Sequence, residues 1–117
     1  MFEITVVKNS ITMAEIKKLA ESGFGEMVKA VVDVKQEIMA LGSELHVDAE
    51  AILIGEHGSA REHTWGINLY PEKSGAEFLE FNSMVNIKPA FNNRSRGITD
   101  KEIQARIKTL VDKLVVK

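Results

Sequence analysis

The spacing of apolar residues along the chain predicts seven structural elements, beginning with a strand and a helix. Apolar residues at every second position predict the first strand over residues 2–7. Thr12 and Glu15 have the spacing of a capping box, in which a hydroxyl and a carboxylate satisfy free backbone N–H groups at a helix start. The apolar positions that follow predict a first helix that ends at Gly23.

A second helix is predicted from Phe24, because apolar residues recur there at alternating spacings of four and three. This stripe comprises Met27, Val31, Val34, Ile38 and Leu41. The β-branched residues of the same segment also suit a strand. We therefore end the predicted helix near Gln36 and leave residues 37–41 open between helix and strand.

Three strands are predicted to follow as an antiparallel meander. Residues 44–55 alternate polar and apolar side chains before an apolar run, which predicts a strand. Residues 64–70 alternate up to Pro71, which would end a strand because proline lacks the N–H that a ladder needs. Residues 78–87 place apolar side chains on one face and predict the third strand.

A terminal helix closes the predicted order. Thr99 and Glu102 repeat the capping-box spacing at its start. The inward stripe of this helix comprises Ile103, Ile107, Leu110 and Leu114. The sequence therefore predicts a single α+β domain over residues 1–117, in the order β-α-α-β-β-β-α.

The predicted core lies between the three helices and one face of a mainly antiparallel sheet. Alternate positions of the predicted strands supply the apolar face of this sheet. These positions are Leu45, Val47, Leu53, Trp65, Ile67, Leu69, Phe81, Val85 and Ile87. Packing is the expected role of Trp65, the only tryptophan.

Composition narrows the setting in which the protein is expected to work. The 117 residues include no cysteine, which excludes disulfides, thiol nucleophiles and thiolate zinc sites. The chain start lacks the basic and apolar blocks of a secretory signal, and no apolar run approaches the roughly 20 residues of a membrane span. We therefore expect a soluble cytoplasmic protein that does not enter membranes.

The net charge of −2 conceals an uneven distribution. Residues 37–80 contain nine acidic and two basic residues, whereas residues 88–117 contain eight basic and three acidic residues. A dedicated nucleic-acid binder would have an overall basic surface, so nucleic acid is not the expected partner. The simplest interpretation is that the two segments attract each other.

Strand parity predicts a sheet face rich in polar residues. The residues of that face are Glu44, His46, Asp48, Glu50, Asn68, Tyr70, Glu80, Asn82, Asn86 and Lys88. Antiparallel sheets ordinarily leave one face in water, which is the simpler explanation. However, asparagine and aspartate are depleted in strands, so their number here also indicates a binding face.

A metal site is a more specific form of the binding-face hypothesis. His46, Asp48 and Glu50 offer one imidazole and two carboxylates, which are ligands suited to zinc, manganese or iron. The spacing matches no established metal motif, so we predict no metal and no cofactor. The metal-assisted version stays open as an alternative hydrolase, in which Arg94 or Arg96 would steady developing negative charge.

The polar loop over residues 92–97 precedes the terminal helix and contains Arg94 and Arg96. A helix start favours anions, so these arginines could hold a phosphate or carboxylate. They could equally pair with carboxylates of the sheet such as Glu50 or Glu80. Both alternatives stay open.

Five stretches in this order carry a resemblance to a known family: GEMVKAVVDV, SELHVDAEAILI, WGINLYP, SMVNIKP and NRSRGI. Together they resemble a family of short prokaryotic proteins catalogued only as a domain of unknown function. The resemblance implies a small bacterial or archaeal cytoplasmic protein. It assigns no catalytic residue.

The leading functional hypothesis is a binding or interaction module for a small anion or a protein partner. The tentative site combines His46, Asp48, Glu50, Asn68, Asn82, Asn86, Arg94 and Arg96. The alternative is the small hydrolase described above, although no nucleophile elbow, phosphate loop or HExxH motif supports catalysis directly. A homodimer that pairs through a sheet edge is a third alternative.

Overall fold

The computed structural model describes residues 2–117, which form three α-helices and seven strands. In chain order these are β1 (Thr5–Val7), β2 (Ile11–Thr12), α1 (Met13–Ser22), β3 (Val28–Asp33), β4 (Ile38–Ser43), α2 (His46–His57), β5 (Thr64–Leu69), β6 (Leu79–Glu80), α3 (Lys101–Leu114) and β7 (Val115–Val116). Among these residues, no helix combines the length and the apolar character needed to cross a membrane. The predicted α+β class is confirmed, and the order of elements is roughly the predicted one.

The main sheet has five strands in the order β1-β4-β3-β5-β6, and all neighbouring strands are antiparallel. Strand β3 lies at the centre, where Val31 is opposite Ala40 on one side and Gly66 on the other. The short strands β2 and β7 form a separate parallel pair. The predicted, mainly antiparallel sheet is therefore present.

Helices cover both faces of this sheet. Ala30 and Val32 of β3 belong to the larger core, which also contains the buried residues of α1 and α3. Val31 points the other way and packs with Ala49 and Leu53 of α2. The prediction that all three helices share one face is wrong for α2. Every residue of β4 is buried, so both faces of this strand are covered by other parts of the protein.

The segment predicted as the second helix, which ended near Gln36, forms β3 and a turn instead, and most of the residues left open at 37–41 belong to β4. The β-branched residues at positions 28–34 favour extended backbone, as the alternative interpretation allowed. The Asp33 carboxylate accepts hydrogen bonds from the N–H groups of Lys35 and Gln36, and Glu37 adopts a left-handed φ of 59°. This turn joins the two strands as a hairpin, and residues 38–43 belong to β4.

The strand predicted over residues 44–55 is the helix α2, so the predicted strand parity there is wrong. Its buried residues are His46, Ala49, Glu50 and Leu53, whose spacing follows a helix face. Leu45 and Val47, predicted to be core residues, are each 52% exposed. The apolar residues of β3 and β4 provide the surface that α2 covers.

The strand predicted over residues 78–87 is confined to β6, after which the chain forms a 3₁₀ turn at Met84–Asn86. The turn packs directly on Gly66, where an added Cβ would lie 2.5 Å from the Ser83 side chain. The Asn86 side-chain oxygen accepts a hydrogen bond from the Gly66 N–H at 2.7 Å, and its Nδ2 donates to the Gly66 carbonyl at 2.9 Å. Asn86 thus takes the place of a neighbouring strand beside β5.

The two predicted capping boxes have different outcomes. The Thr12 hydroxyl accepts from the Glu15 N–H at 3.1 Å, and the Glu15 carboxylate accepts from the Thr12 N–H at 3.0 Å, which confirms the first. At α3 the cap is Asp100, whose carboxylate accepts from two N–H groups of the first turn. Thr99 instead donates its N–H and hydroxyl to the Asn93 side chain. The prediction that Thr99 caps α3 is wrong by one residue.

Most of the remaining core prediction is confirmed. The residues predicted as core that are buried are Leu53, Trp65, Ile67, Leu69, Val85, Ile107, Leu110 and Leu114. Phe81 and Ile103 are partly buried and pack against the larger core. The predicted strand β5 and the inward stripe of α3 therefore have the orientation that periodicity indicates.

Candidate functional site

The α2 face of the sheet contains an open groove between the start of α2, strands β3 and β5, and the segment 79–85. Its volume is about 420 Å³, which lies in the range of small-molecule sites. We call it the α2 groove, and its defining residues are Lys29, Leu45, His46, Val47, Asn68, Tyr70, Glu80, Asn82, Met84 and Arg96.

Three polar residues cross the groove as a row on successive strands. Lys29 of β3 is in register with Asn68 of β5, and Asn68 is in register with Glu80 of β6. Neighbouring strands lie about 4.8 Å apart, so the row extends about 10 Å between the outer two backbones. The sheet itself thus places a cation and a carboxylate on either side of an amide.

Asn68 is the buried residue of this row, with only 5% of its surface exposed. Its Nδ2 donates to the Glu80 Oε1 at 2.9 Å and to the Asn82 carbonyl at 3.2 Å. Glu80 Oε1 also accepts from the Tyr70 hydroxyl at 3.0 Å. Within residues 2–117, Asn68 Oδ1 accepts no hydrogen bond. This oxygen is buried, and an unsatisfied buried acceptor costs about 1–3 kcal/mol of folding stability.

His46 lies in the first turn of α2, where its ring is buried against the sheet. Nε2 is 2.9 Å from the Ile67 carbonyl, and because a carbonyl only accepts, Nε2 carries the proton. Burial lowers the pKa of His46, the hydrogen bond to the Ile67 carbonyl raises it, and the charges of Lys29 and Arg96 lower it further. His46 is therefore neutral at pH 7.

Two groups that attract anions meet at this end of the groove. The helix start at Leu45 has no side-chain cap, which leaves backbone N–H groups without an intrahelical partner. The exposed Arg96 guanidinium makes no ion pair or hydrogen bond with any of residues 2–117. Its backbone is held, because the Arg96 carbonyl accepts from the Ser83 N–H and the Asn86 amide, each at 3.0 Å.

The rim of the groove is apolar. Leu45 and Val47 are each 52% exposed, and Met84 is 65% exposed. These side chains surround a polar floor that contains His46 and Asn68. The α2 groove is thus amphipathic, with large apolar side chains that an occupant could cover.

The structure brings half of the predicted site residues together. His46, Asn68, Asn82 and Arg96 line the α2 groove. The other four, Asp48, Glu50, Asn86 and Arg94, lie outside it. The sequence reasoning missed Lys29, because that residue fell within the predicted second helix. A lysine inside a run of valines was the available signal for a charged position on a strand face.

The four residues outside the groove have separate environments. Asp48 and Arg94 are exposed, whereas Asn86 and Glu50 are buried. The Asn86 side-chain amide makes hydrogen bonds to the backbone N–H and carbonyl of Gly66 and to the Arg96 carbonyl. These contacts give Asn86 a structural role.

Glu50 belongs to a second polar cluster, which is buried beside Trp65. The Thr64 hydroxyl donates to Glu50 Oε2 at 2.8 Å, and Lys88 Nζ lies 3.9 Å from the same oxygen. Lys88 also donates to the carbonyls of Arg61 and Thr64, and lies 4.8 Å from the centre of the Trp65 ring. Burial lowers the pKa of Lys88 to about 8, with Glu50 raising it and Arg61 lowering it. The basic partners of Glu50 are therefore Lys88 and Arg61.

The three proposed metal ligands do not converge. His46 and Glu50 lie one helical turn apart on the buried face of α2. Asp48 is rotated by about 200° from His46 and is exposed. Within the chain from residue 2 onward, no group of three or more histidine, cysteine, aspartate or glutamate side chains is placed to hold a metal ion.

The fold and the groove define a small α+β protein with an amphipathic surface groove beside a helix start. The chain belongs to the family described as Protein of unknown function (DUF5674), whose profile matches residues 5–114. This match confirms the resemblance to a domain of unknown function. No curated protein and no solved structure matches the chain.

Proposed function

We propose that this protein is a binding module that holds the anionic group of a small ligand or partner in the α2 groove. The observation that carries the proposal is that the uncapped start of α2 and the unpaired Arg96 guanidinium line the same groove. Free helix N–H groups and the helix dipole favour an anion, and arginine binds carboxylates and phosphates through paired hydrogen bonds.

The balance of charge in the groove supports an anion at this end. Lys29 and Arg96 contribute two positive charges, whereas Glu80 contributes one negative charge. His46 adds none at pH 7, since burial lowers its pKa. The apolar rim indicates that the occupant also has an apolar part, because Leu45, Val47 and Met84 would lose contact with water on binding.

Arg96→Ala and Arg94→Ala form a matched pair that tests the proposal. The two arginines are exposed residues of one loop, but only Arg96 lines the groove. Loss of a charge-assisted hydrogen bond should weaken anion binding by about 1.5–3 kcal/mol in the Arg96 variant, and leave it unchanged in the Arg94 variant.

Binding can be followed by amide chemical shifts during titration with inorganic phosphate and a panel of organic carboxylates. Resonances of residues 45–47 should move, because these residues form the helix start. Equal losses in both variants, or shifts confined to other surfaces, would refute a site at Arg96.

The hydrolase alternative stays a prediction, and the geometry gives it less support. His46 Nε2 is engaged with Ile67, and the Glu50 carboxylate accepts from Thr64. Metal analysis of protein purified without a histidine tag would distinguish the two hypotheses. The cytoplasmic location, the prokaryotic origin and the homodimer also stay predictions.

A further inference from the structure

We infer that the occupant of the α2 groove is a zwitterion with an aliphatic side chain, namely an aliphatic α-amino acid or a short peptide of such residues. This inference rests on the binding function proposed above and adds the ligand class. It follows from the placement of a cation, Lys29, and a carboxylate, Glu80, two strands apart on one groove that also has an apolar rim.

The cationic end lies at the start of α2. Lys29 and Arg96 line the groove there, and their charges both reach the His46 ring, as the lowered pKa of His46 reflects. The uncapped helix start adds backbone N–H groups. A ligand carboxylate at the helix start would be attracted by the helix dipole and by the charges of Lys29 and Arg96, and among residues 2–117 Glu80 is the only acidic residue that lines the groove.

The acidic end lies at Glu80. Asn68 and Tyr70 both donate to its Oε1, so Oε2 is free to accept from a ligand. Burial raises the pKa of Tyr70, and its hydrogen bond to Glu80 and the negative charges of Glu80 and Glu26 raise it further. Lys73 Nζ lies 4.7 Å from the centre of the Tyr70 ring, so the group at this end that suits a ligand ammonium is the free Oε2 of Glu80.

The separation of the two ends fits one small molecule. Lys29 and Glu80 are two strands apart, and their backbones are about 10 Å from each other. Both residues line the groove, and Lys29 Nζ lies 5.0 Å from the centre of the Phe24 ring. Asn68 lies between them on β5, where its Nδ2 holds the Glu80 carboxylate. A simple anion such as phosphate has no cationic donor for the free Oε2 of Glu80.

The apolar rim of the groove favours a ligand with an aliphatic side chain. Leu45, Val47 and Met84 present aliphatic and thioether surface next to the polar floor. A charged or strongly polar side chain would lose hydration against this rim without gaining a hydrogen bond. An aliphatic side chain would instead cover it.

Amide chemical-shift titration with four probes tests the inference: L-leucine, leucyl-leucine, 4-methylpentanoate, which lacks the ammonium, and 3-methylbutylamine, which lacks the carboxylate. We expect L-leucine or leucyl-leucine to bind at least about tenfold more tightly than either truncated probe, because each truncation removes a charge-assisted hydrogen bond. Tighter binding of L-leucine would identify a free amino acid as the source, and tighter binding of leucyl-leucine a peptide.

Glu80→Gln provides the second test, because the glutamine oxygen can still accept from Asn68 and Tyr70 while the charge is removed. This variant should weaken L-leucine binding about tenfold and leave 4-methylpentanoate binding unchanged. Equal affinity for L-leucine and 4-methylpentanoate would overturn the zwitterion but keep the anion-binding function. No shift at residues 45–47 with any probe or with phosphate would overturn both.

Discussion

Replacing Asn86 with alanine separates a structural role from a binding role at a residue that the sequence placed in the ligand site. The Asn86 amide makes three hydrogen bonds, two to Gly66 and one to the Arg96 carbonyl, at 2.7 to 3.0 Å. Asn86 and Gly66 are both buried. The substitution would therefore leave an N–H and a carbonyl of β5 unsatisfied in the interior.

The expected loss follows from these two backbone groups. Each unsatisfied buried group costs about 1–3 kcal/mol, so the two groups together should lower the free energy of unfolding by about 2–6 kcal/mol. Urea denaturation can measure it, since the single tryptophan, Trp65, is buried in the core and its fluorescence should change on unfolding.

Asn82→Ala is the matched control. Asn82 lies in the same segment, but its side chain makes no hydrogen bond with residues 2–117. We expect its free energy of unfolding to stay within about 0.5 kcal/mol of wild type. The structural role would be refuted if Asn86→Ala lost less than about 1 kcal/mol of free energy of unfolding and no longer bound the ligand. Asn86 would then be a binding residue.

Three further outcomes are expected from the structure. Ile107→Ala should lower the free energy of unfolding by about 2–5 kcal/mol through transfer and cavity effects, because Ile107 is fully buried, and a loss below half a kilocalorie would contradict its place in the core. Asp100→Ala should lower the melting temperature through loss of about 1 kcal/mol of helix capping, whereas equal effects of Asp100→Ala and Thr99→Ala would contradict the cap. The pKa of Lys88 is about 8 in the folded protein and 10.5 in the absence of burial. Between these pH values the unfolded chain binds more protons than the folded protein, so the free energy of unfolding should rise with pH. This rise amounts to at most about 3 kcal/mol, and urea titrations of Lys88→Met should show a flatter dependence on pH.

Local patterns determined the elements that bury one face. The capping box at Thr12 and the stripe of α3 specify helices, because the signals lie within one or two turns of chain. Strand β5 is buried on both faces, but its sequence still alternates large apolar residues with Thr64, Gly66 and Asn68, and it ends before Pro71 as that alternation predicts. Absence of cysteine and the chemistry of His46, Asn68, Asn82 and Arg96 were also readable from the residues alone.

Tertiary structure decided the rest. Strands β3 and β4 are buried on both faces, so no two-residue period distinguishes them from a helix, and the position of α2 depends on the apolar surface that they present. The α2 groove depends on register, which places Lys29, Asn68 and Glu80 side by side although they are far apart in sequence. The structural role of Asn86 depends on a backbone partner 20 residues away. Such contacts form only once the sheet is assembled, and no local periodicity encodes them.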